Sequence, residues 1–91
     1  MAKAADKLMT IAGIEASFAL LRADDTVTIS ARSRDKINVQ IIMQRLGGGG
    51  HYDMAGTRMT HTTLEAACQQ LKTVLDEYLD NEYETEKGVK R

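Results

Sequence analysis

The sequence predicts a single-domain α/β fold: a small mixed sheet, made of a hairpin plus a crossover strand, with helices packed on it. Two strand-like segments rich in apolar residues flank a polar turn, and an apolar helical segment follows them. The last third of the chain carries one continuous apolar stripe at helical spacing. A chain of 91 residues makes one domain, and its core must be largely aliphatic because it has no Trp and one Phe.

The first segment, Ala2–Ala12, is predicted to be helical because its apolar residues recur at the spacing of one helix face: Ala5, Leu8, Met9 and Ala12. Gly13 is a suitable helix stop. No convincing N-cap precedes this segment. We therefore expect residues 1–13 to be a helix or linker from a preceding domain, and residues 14–80 to form the domain proper.

Two strands are predicted next. Ile14–Arg22 carries apolar residues on both faces, which indicates an interior strand. Thr26–Arg32 alternates, and its inward-facing residues are Val27, Ile29 and Ala31. The short segment Ala23-Asp24-Asp25 joins the two strands into an antiparallel hairpin.

A helix is predicted from Arg34 to Leu46, with Ser33 as its N-cap and Gly47 at its C-terminal end. Ala55–Met59 is predicted to be a short strand. The helix would then be a crossover between the second and third strands, right-handed if those strands are parallel.

The last helix is the clearest element of the sequence. Thr62 and Glu65 have the spacing of a capping box at its start. Its apolar stripe consists of Leu64, Ala67, Cys68, Leu71, Val74, Leu75, Tyr78 and Leu79. Beyond Asp80 the sequence is polar, so we expect residues 81–91 to form a frayed tail.

The most informative run is LGGGGHYDMAG, from Leu46 to Gly56, in which four glycines end on a histidine. Backbone without Cβ atoms can approach a ligand closely and present its N–H groups as an anion-binding concavity. The histidine ring adds a hydrogen-bond donor or a positive charge near neutral pH. We interpret Gly48, Gly49, Gly50 and His51 as a site for a phosphate or phosphodiester; the alternative is a flexible linker with an incidental histidine.

A second candidate site lies at Ser30-Ala31-Arg32-Ser33, where a strand ends and a helix is predicted to begin. Arg32 can hold a phosphate through two hydrogen bonds, and Ser33 offers a hydroxyl unless helix capping occupies it. The alternative is a solvated arginine beside an ordinary cap. A helix over Arg34–Leu46 would be roughly 20 Å long. It would separate Arg32 from the glycines, so the two positions can bind one ligand if the glycine loop runs back or if an elongated ligand bridges them.

Charge and cysteine content exclude several functions. The formal net charge is −1, with a mildly basic middle and an acidic C-terminal helix. This balance disfavours binding to duplex DNA, which needs a broad basic face. No apolar run approaches the ~20 residues of a membrane helix, so we expect no membrane contact by this segment. The single cysteine, Cys68, falls on the apolar stripe and is predicted to be a buried, reduced thiol in the cytoplasm.

Metal binding and nucleophilic catalysis by this chain are not predicted. His51-Tyr52-Asp53 lacks further ligands at convincing spacing, and His61 is expected at the surface near the last helix. Cys68 has no visible base, and the acidic residues after Val74 form a solvated helix end. We therefore assign neither a catalytic residue nor a metal ligand.

ISARS and GGGGHYDMAG together resemble the DHH-associated domain, the C-terminal half of DHH-family phosphoesterases. The resemblance covers roughly Ile14 to Leu79, although Met54 replaces the first alanine of the family's usual Ala-Ala-Gly. It implies that Arg32, Ser33, Gly48, Gly49, Gly50 and His51 bind the nucleotide or phosphate end of the substrate.

The four-glycine form, with INVQIIM before it, looks most similar to the cyclic di-AMP phosphodiesterases of this family. The resemblance implies a partner DHH domain in the same parent chain, which holds Mn²⁺ and carries out the hydrolysis. No Asp-His-His triplet occurs here, so we expect this chain to be an excised, inactive domain. Parents of this type are often membrane-anchored, which implies that this domain lies on the cytosolic side.

Two alternatives remain open at the level of sequence. The same domain could serve an enzyme that degrades short oligoribonucleotides or nucleoside bisphosphates, since the glycine loop suits any terminal phosphate. It could instead be a non-catalytic nucleotide-binding or assembly module, with the last helix forming a homodimer.

Overall fold

The computed structural model describes residues 5–11 and 15–86. This part of the chain forms five strands and two helices. In chain order they are β1 (Ala5–Ile11), β2 (Ala16–Ala23), β3 (Thr26–Ser33), α1 (Val39–Arg45), β4 (Gly49–Gly50), β5 (Met54–Met59) and α2 (Leu64–Glu86).

The strands form one sheet in the order β1-β2-β3-β5-β4. The predicted α/β class is confirmed, but the sheet is antiparallel at every described pairing rather than mixed. β5 lies directly beside β3 and runs antiparallel to it, so the condition for a right-handed crossover, parallel strands, is not met. α1 and the residues on either side of it form the connection after β3, and β5 then pairs with β3.

The central hairpin is formed as predicted. β2 and β3 pair from Ala16–Ser33 to Ala23–Thr26, which leaves Asp24 and Asp25 as the turn. Asp24 adopts a positive φ of 57°, a conformation that aspartate tolerates in turns. The inward side chains are all buried: Ala16, Phe18, Leu20, Val27, Ile29 and Ala31. Ile14, the predicted start of the first strand, and Gly13 lie outside the described residues.

The predicted N-terminal helix is wrong over Ala5–Ile11, which is the edge strand β1. These residues pair along their full length with β2, from Ala5–Arg22 to Ile11–Ala16. Met9 packs against the core while Leu8 is exposed on the other face, the alternation expected of a strand. Pairing with β2 outweighed a weak local preference for helix, as tertiary context often does.

The second helix is shorter than predicted, and Ser33 does not cap it. Ser33 is the last residue of β3, and α1 begins at Val39. The side chain of Asn38 caps α1 by accepting hydrogen bonds from the N–H groups of Gln40 and Ile41, at 3.0 and 3.3 Å. Gly47 ends the helical segment as expected, with a φ of +92°.

α2 packs its apolar stripe on the sheet, as predicted. Six stripe residues are buried: Ala67, Cys68, Leu71, Val74, Leu75 and Tyr78. The N-cap residue is Thr63, one residue after the predicted Thr62, since the Thr63 hydroxyl accepts a hydrogen bond from the Ala66 N–H at 3.1 Å. The helix runs through Glu86, past Asp80, where we expected the chain to fray.

Both helices lie on one face of the sheet, and the opposite face is open. The core joins inward residues of β2 and β3 to Val39, Ile42 and Met43 of α1 and to the stripe of α2. On the open face, Leu8, Leu21 and Met54 are exposed. Of the candidate ligand-binding residues, Arg32, Gly49 and His51 lie at one end of this open face, whereas Ser33 and Gly50 are at positions of the helix-covered face.

Candidate functional site

The glycine–histidine run forms a tight hairpin rather than a flexible linker. Gly49 and Gly50 of β4 pair with Gly56 and Ala55 of β5. The next pair closes the hairpin, because the His51 N–H donates to the Met54 carbonyl at 2.7 Å and the Met54 N–H donates back at 3.4 Å. Only two residues form the turn between His51 and Met54.

The sheet register brings Arg32 and His51 onto the same face. Arg32 of β3 is opposite Met54 of β5, and Met54 is opposite His51 across the hairpin. These three residues therefore form one row across neighbouring strands, and all three are exposed. Two strand spacings separate the Cα atoms of Arg32 and His51 by about 10 Å.

A row of small residues lies beside this arginine–histidine row. Ser30, Gly56 and Gly49 face one another across three strands, two residues from Arg32, Met54 and His51 respectively. Since side chains two residues apart share a face, the small residues leave the backbone accessible beside the row. β4 is the edge of the sheet, so its outward backbone groups have no strand partner among the described residues.

The four glycines have different structural roles. Gly47 and Gly50 have φ values of +92° and +143°, which other residues rarely adopt. At Gly48, an added Cβ would lie 2.7 Å from the Thr57 Cα, so the close packing of the two strands requires glycine. At Gly49, an added Cβ would meet nothing within 4 Å, and φ is not in the left-handed region. The fold itself does not require glycine at position 49.

Ser33 is engaged within the domain instead of standing free for a ligand. Its N–H donates to the Asp53 carbonyl at 3.1 Å, and its hydroxyl donates to the Tyr52 carbonyl at 3.4 Å. Ser33 thus connects the end of β3 to the hairpin turn. The guanidinium of Arg32 forms no ion pair with the described residues. Of the two, Arg32 is the better placed to bind an anion.

The sequence matches the DHHA1 domain model over residues 1–80. The chain belongs to the DHHA1 domain family. It is 47% identical over 81 residues to the cyclic-di-AMP phosphodiesterase GdpP of Bacillus subtilis (strain 168), and the match covers 88% of this chain and 12% of that protein. It is 45% identical over 82 residues to the cyclic-di-AMP phosphodiesterase PdeA of Listeria monocytogenes serotype 1/2a (strain 10403S), covering 89% and 12%.

A further relative has a different name. The DHHA1 domain is 37% identical over 91 residues to a membrane protein–large ribosomal subunit bL9 fusion protein of Aster yellows witches'-broom phytoplasma (strain AYWB). That match covers 99% of this chain and 10% of the relative. The chain therefore spans about a tenth of the length of the relatives that it matches.

The other candidate residues of the DHHA1 domain lie away from this row. His61 is exposed, and its Nδ1 lies 3.0 Å from the Asp25 carboxylate, at the opposite end of β3 from Arg32. Cys68 is buried, with its thiol 3.5 Å from the Met9 sulfur. Among residues 5–11 and 15–86, no group of three His, Cys, Asp or Glu side chains is arranged to hold a metal ion.

Within the same described ranges, no helix is long and apolar enough to cross a membrane.

Two structural residues of this region were missed by sequence analysis. Asn38, directly before the apolar run of α1, is a standard N-cap residue and could have been identified by that preference. Tyr52 was considered only as part of a metal motif. Its side-chain hydroxyl donates to the Asp35 carbonyl at 2.9 Å, a contact for which the sequence contains no signal.

Proposed function

We propose that this DHHA1 domain is the substrate-binding part of a phosphodiesterase that hydrolyses cyclic di-AMP. The observation that carries the proposal is the row Arg32–Met54–His51, which places a guanidinium and an imidazole on one face across about two strand spacings. The names of the GdpP and PdeA relatives support cyclic di-AMP as the substrate.

Within this proposal each residue of the row has a distinct task. The Arg32 guanidinium donates paired hydrogen bonds to one phosphate and offsets its charge. The His51 ring, whose Cα lies about 10 Å from that of Arg32, donates to a phosphate oxygen at the hairpin end of the row. Gly49 leaves the sheet surface low enough for the ligand to lie across it, and Met54 offers an exposed apolar contact between the two polar groups.

The hydrolytic step belongs to a DHH domain of the same parent protein, where Mn²⁺ would supply activation of the attacking water. Water attacks phosphorus, one P–O bond to ribose breaks, and the ring opens to a linear dinucleotide. This chain binds and orients the phosphodiester for that step. We place the domain on the cytosolic side of a membrane-anchored parent.

Two alternative ligands would use the Arg32–Met54–His51 row. A linear oligoribonucleotide or a nucleoside bisphosphate presents the same phosphates to Arg32 and His51. A non-catalytic assembly module with α2 as its dimer contact is less well supported, since six residues of the α2 stripe are already buried within the domain. A homodimer would need another surface.

Substitution of Arg32 tests the proposed site directly. We expect Arg32→Ala to weaken binding of cyclic di-AMP to the chain about 10-fold or more, since a hydrogen bond to a charged group contributes roughly 1.5–3 kcal/mol. Calorimetric titration with cyclic di-AMP, linear diadenylate and AMP measures the affinity and ranks the substrate classes.

Arg45→Ala is the matched control for this experiment. It removes the same charge from the helical layer, where Arg45 forms an exposed ion pair with Glu77. Exposed pairs contribute little to stability, so we expect this variant to fold and bind normally. Equal affinity losses in the two variants would contradict a specific site at Arg32.

The isolated chain is expected to hydrolyse none of these ligands, with or without added Mn²⁺. The described residues contain no group of three His, Cys, Asp or Glu side chains that could hold the metal ions assigned to the DHH domain. Product formation is measured by chromatography against a buffer control and a preparation of the Arg32→Ala variant. Turnover that is retained through repurification would contradict the assignment of hydrolysis to another domain.

A further inference from the structure

The turn of the hairpin, Tyr52-Asp53, is fastened to the chain that follows β3. The Tyr52 carbonyl accepts hydrogen bonds from the Val39 N–H at 3.0 Å and from the Ser33 hydroxyl at 3.4 Å. The Asp53 carbonyl accepts from the Ser33 N–H at 3.1 Å. The turn is therefore attached both to the end of β3 and to the start of α1.

The Tyr52 side chain adds a contact at a separate point. Its hydroxyl donates to the Asp35 carbonyl at 2.9 Å, while 44% of the residue remains exposed. The carbonyl and the hydroxyl of this one residue thus bind both ends of segment 35–39. Without the hydroxyl, Val39 alone joins segment 35–39 to the turn among the described hydrogen bonds, and Ser33 joins the turn to the end of β3.

These contacts lie between the two groups of the proposed site. Arg32 immediately precedes Ser33, and His51 immediately precedes Tyr52. The strand pairing fixes the Cα separation of Arg32 and His51, so a looser attachment of the turn to residues 33–39 changes the orientation of the imidazole at the end of the hairpin. The Arg32 and His51 side chains are exposed, and neither forms a hydrogen bond with the described residues that would fix it independently.

We propose that Tyr52 is a positioning residue: its hydroxyl holds the turn of the His51 hairpin against residues 33–39 and so keeps the imidazole in the orientation needed to act together with Arg32. The effect on ligand affinity rests on the proposed function, whereas the effect on the turn does not. The Tyr52→Phe variant isolates the hydroxyl because it keeps the ring.

The control is Tyr78→Phe, which removes the same group from a buried tyrosine. The Tyr78 hydroxyl accepts a hydrogen bond from the Asn38 N–H at 2.9 Å, but the ring belongs to the core under α2. Loss of this part-buried hydrogen bond should destabilise the fold more than loss of the exposed one made by Tyr52. Tyr78→Phe should therefore have the lower melting temperature of the two variants.

Two measurements on the chain test the proposal. Hydrogen exchange of the Ser33 and Val39 amides reports the attachment of the turn, and calorimetric titration with cyclic di-AMP reports affinity. For Tyr52→Phe we expect about 3- to 10-fold faster exchange at both amides and a similar loss of affinity, with little change in melting temperature. For Tyr78→Phe we expect a lower melting temperature with affinity within about 2-fold of the unsubstituted chain.

The outcomes separate the two proposals. If the unsubstituted chain fails to bind cyclic di-AMP, the proposed function is contradicted, and the exchange rates still decide whether Tyr52 holds the turn. Unchanged exchange in Tyr52→Phe overturns the positioning role. An affinity loss in Tyr52→Phe with unchanged exchange also overturns it, since the hydroxyl would then contact the ligand directly. An equal loss of affinity in Tyr78→Phe overturns it too, because the effect would not be specific to Tyr52.

Discussion

His51→Ala is expected to lower kcat of the proposed parent phosphodiesterase on the order of 10²–10³-fold. The imidazole is an exposed donor on the hairpin, in the same row as Arg32, where it can stabilise charge that develops on the phosphodiester during attack. Its side chain forms no hydrogen bond to the described part of the chain, so folding should be unaffected. Steady-state kinetics on cyclic di-AMP and a thermal melt give the two quantities.

Two further variants are controls for this experiment. His61→Asn changes the other histidine, which lies at the far end of β3 with a φ of +56° that asparagine tolerates. It should leave kcat unchanged. Cys68→Ser places a hydroxyl among the buried residues of α2 and should lower the melting temperature while largely sparing kcat. Near-normal kinetics for His51→Ala would contradict a functional role for the hairpin.

Gly49→Ala is expected to weaken ligand binding without destabilising the fold, whereas Gly48→Ala is expected to destabilise the fold. An alanine methyl at position 49 enters open space on the open face of the sheet, so the chain should keep its melting temperature and lose affinity for cyclic di-AMP by about 10-fold or more. At position 48 the methyl would overlap the backbone of Gly56 and Thr57. That overlap should destabilise the fold by about 1–3 kcal/mol and lower the melting temperature by about 5 °C or more.

The contrast between these two variants separates ligand binding from folding within one glycine run. Thermal melts and calorimetric titrations on both proteins provide the comparison. A Gly49→Ala variant that binds cyclic di-AMP normally would show that the open space above Gly49 is not occupied by ligand. A Gly48→Ala variant that melts normally would contradict the close packing described between Gly48 and the backbone of β5.

The elements that sequence analysis predicted well are those that bury one complete face. β2, β3 and α2 each repeat apolar residues at a period that matches a single secondary structure over their whole length. β1 was misassigned because Ala5, Leu8 and Met9 fit a helix face locally, whereas its structure arises from pairing with β2. β4 consists of two glycines, which carry no side-chain pattern, so its pairing with β5 could not be anticipated.

The candidate site was predictable in its residues but not in its geometry. Arg32 and His51 could be named from the chemistry of their side chains and the neighbouring glycines. Their separation depends on the length of α1 and on the pairing of β4 with β5, and a helix over Arg34–Leu46 would have kept them apart. The seven-residue α1 and the two-residue turn bring them to one row. The role of Tyr52 depends on a contact with a backbone carbonyl, which no residue pattern specifies.

The central claim is that Arg32 and the glycine–histidine hairpin bind one ligand on the open face of the sheet. Backbone amide chemical shifts of the ¹⁵N-labelled chain, followed during titration with cyclic di-AMP, test it most directly. We predict that the amides of Arg32, Gly49 and His51 shift together along one saturation curve, while those of buried α2 residues such as Leu71 stay unchanged. Shifts confined to Arg32 alone, to the hairpin alone or to α2 would contradict the shared site.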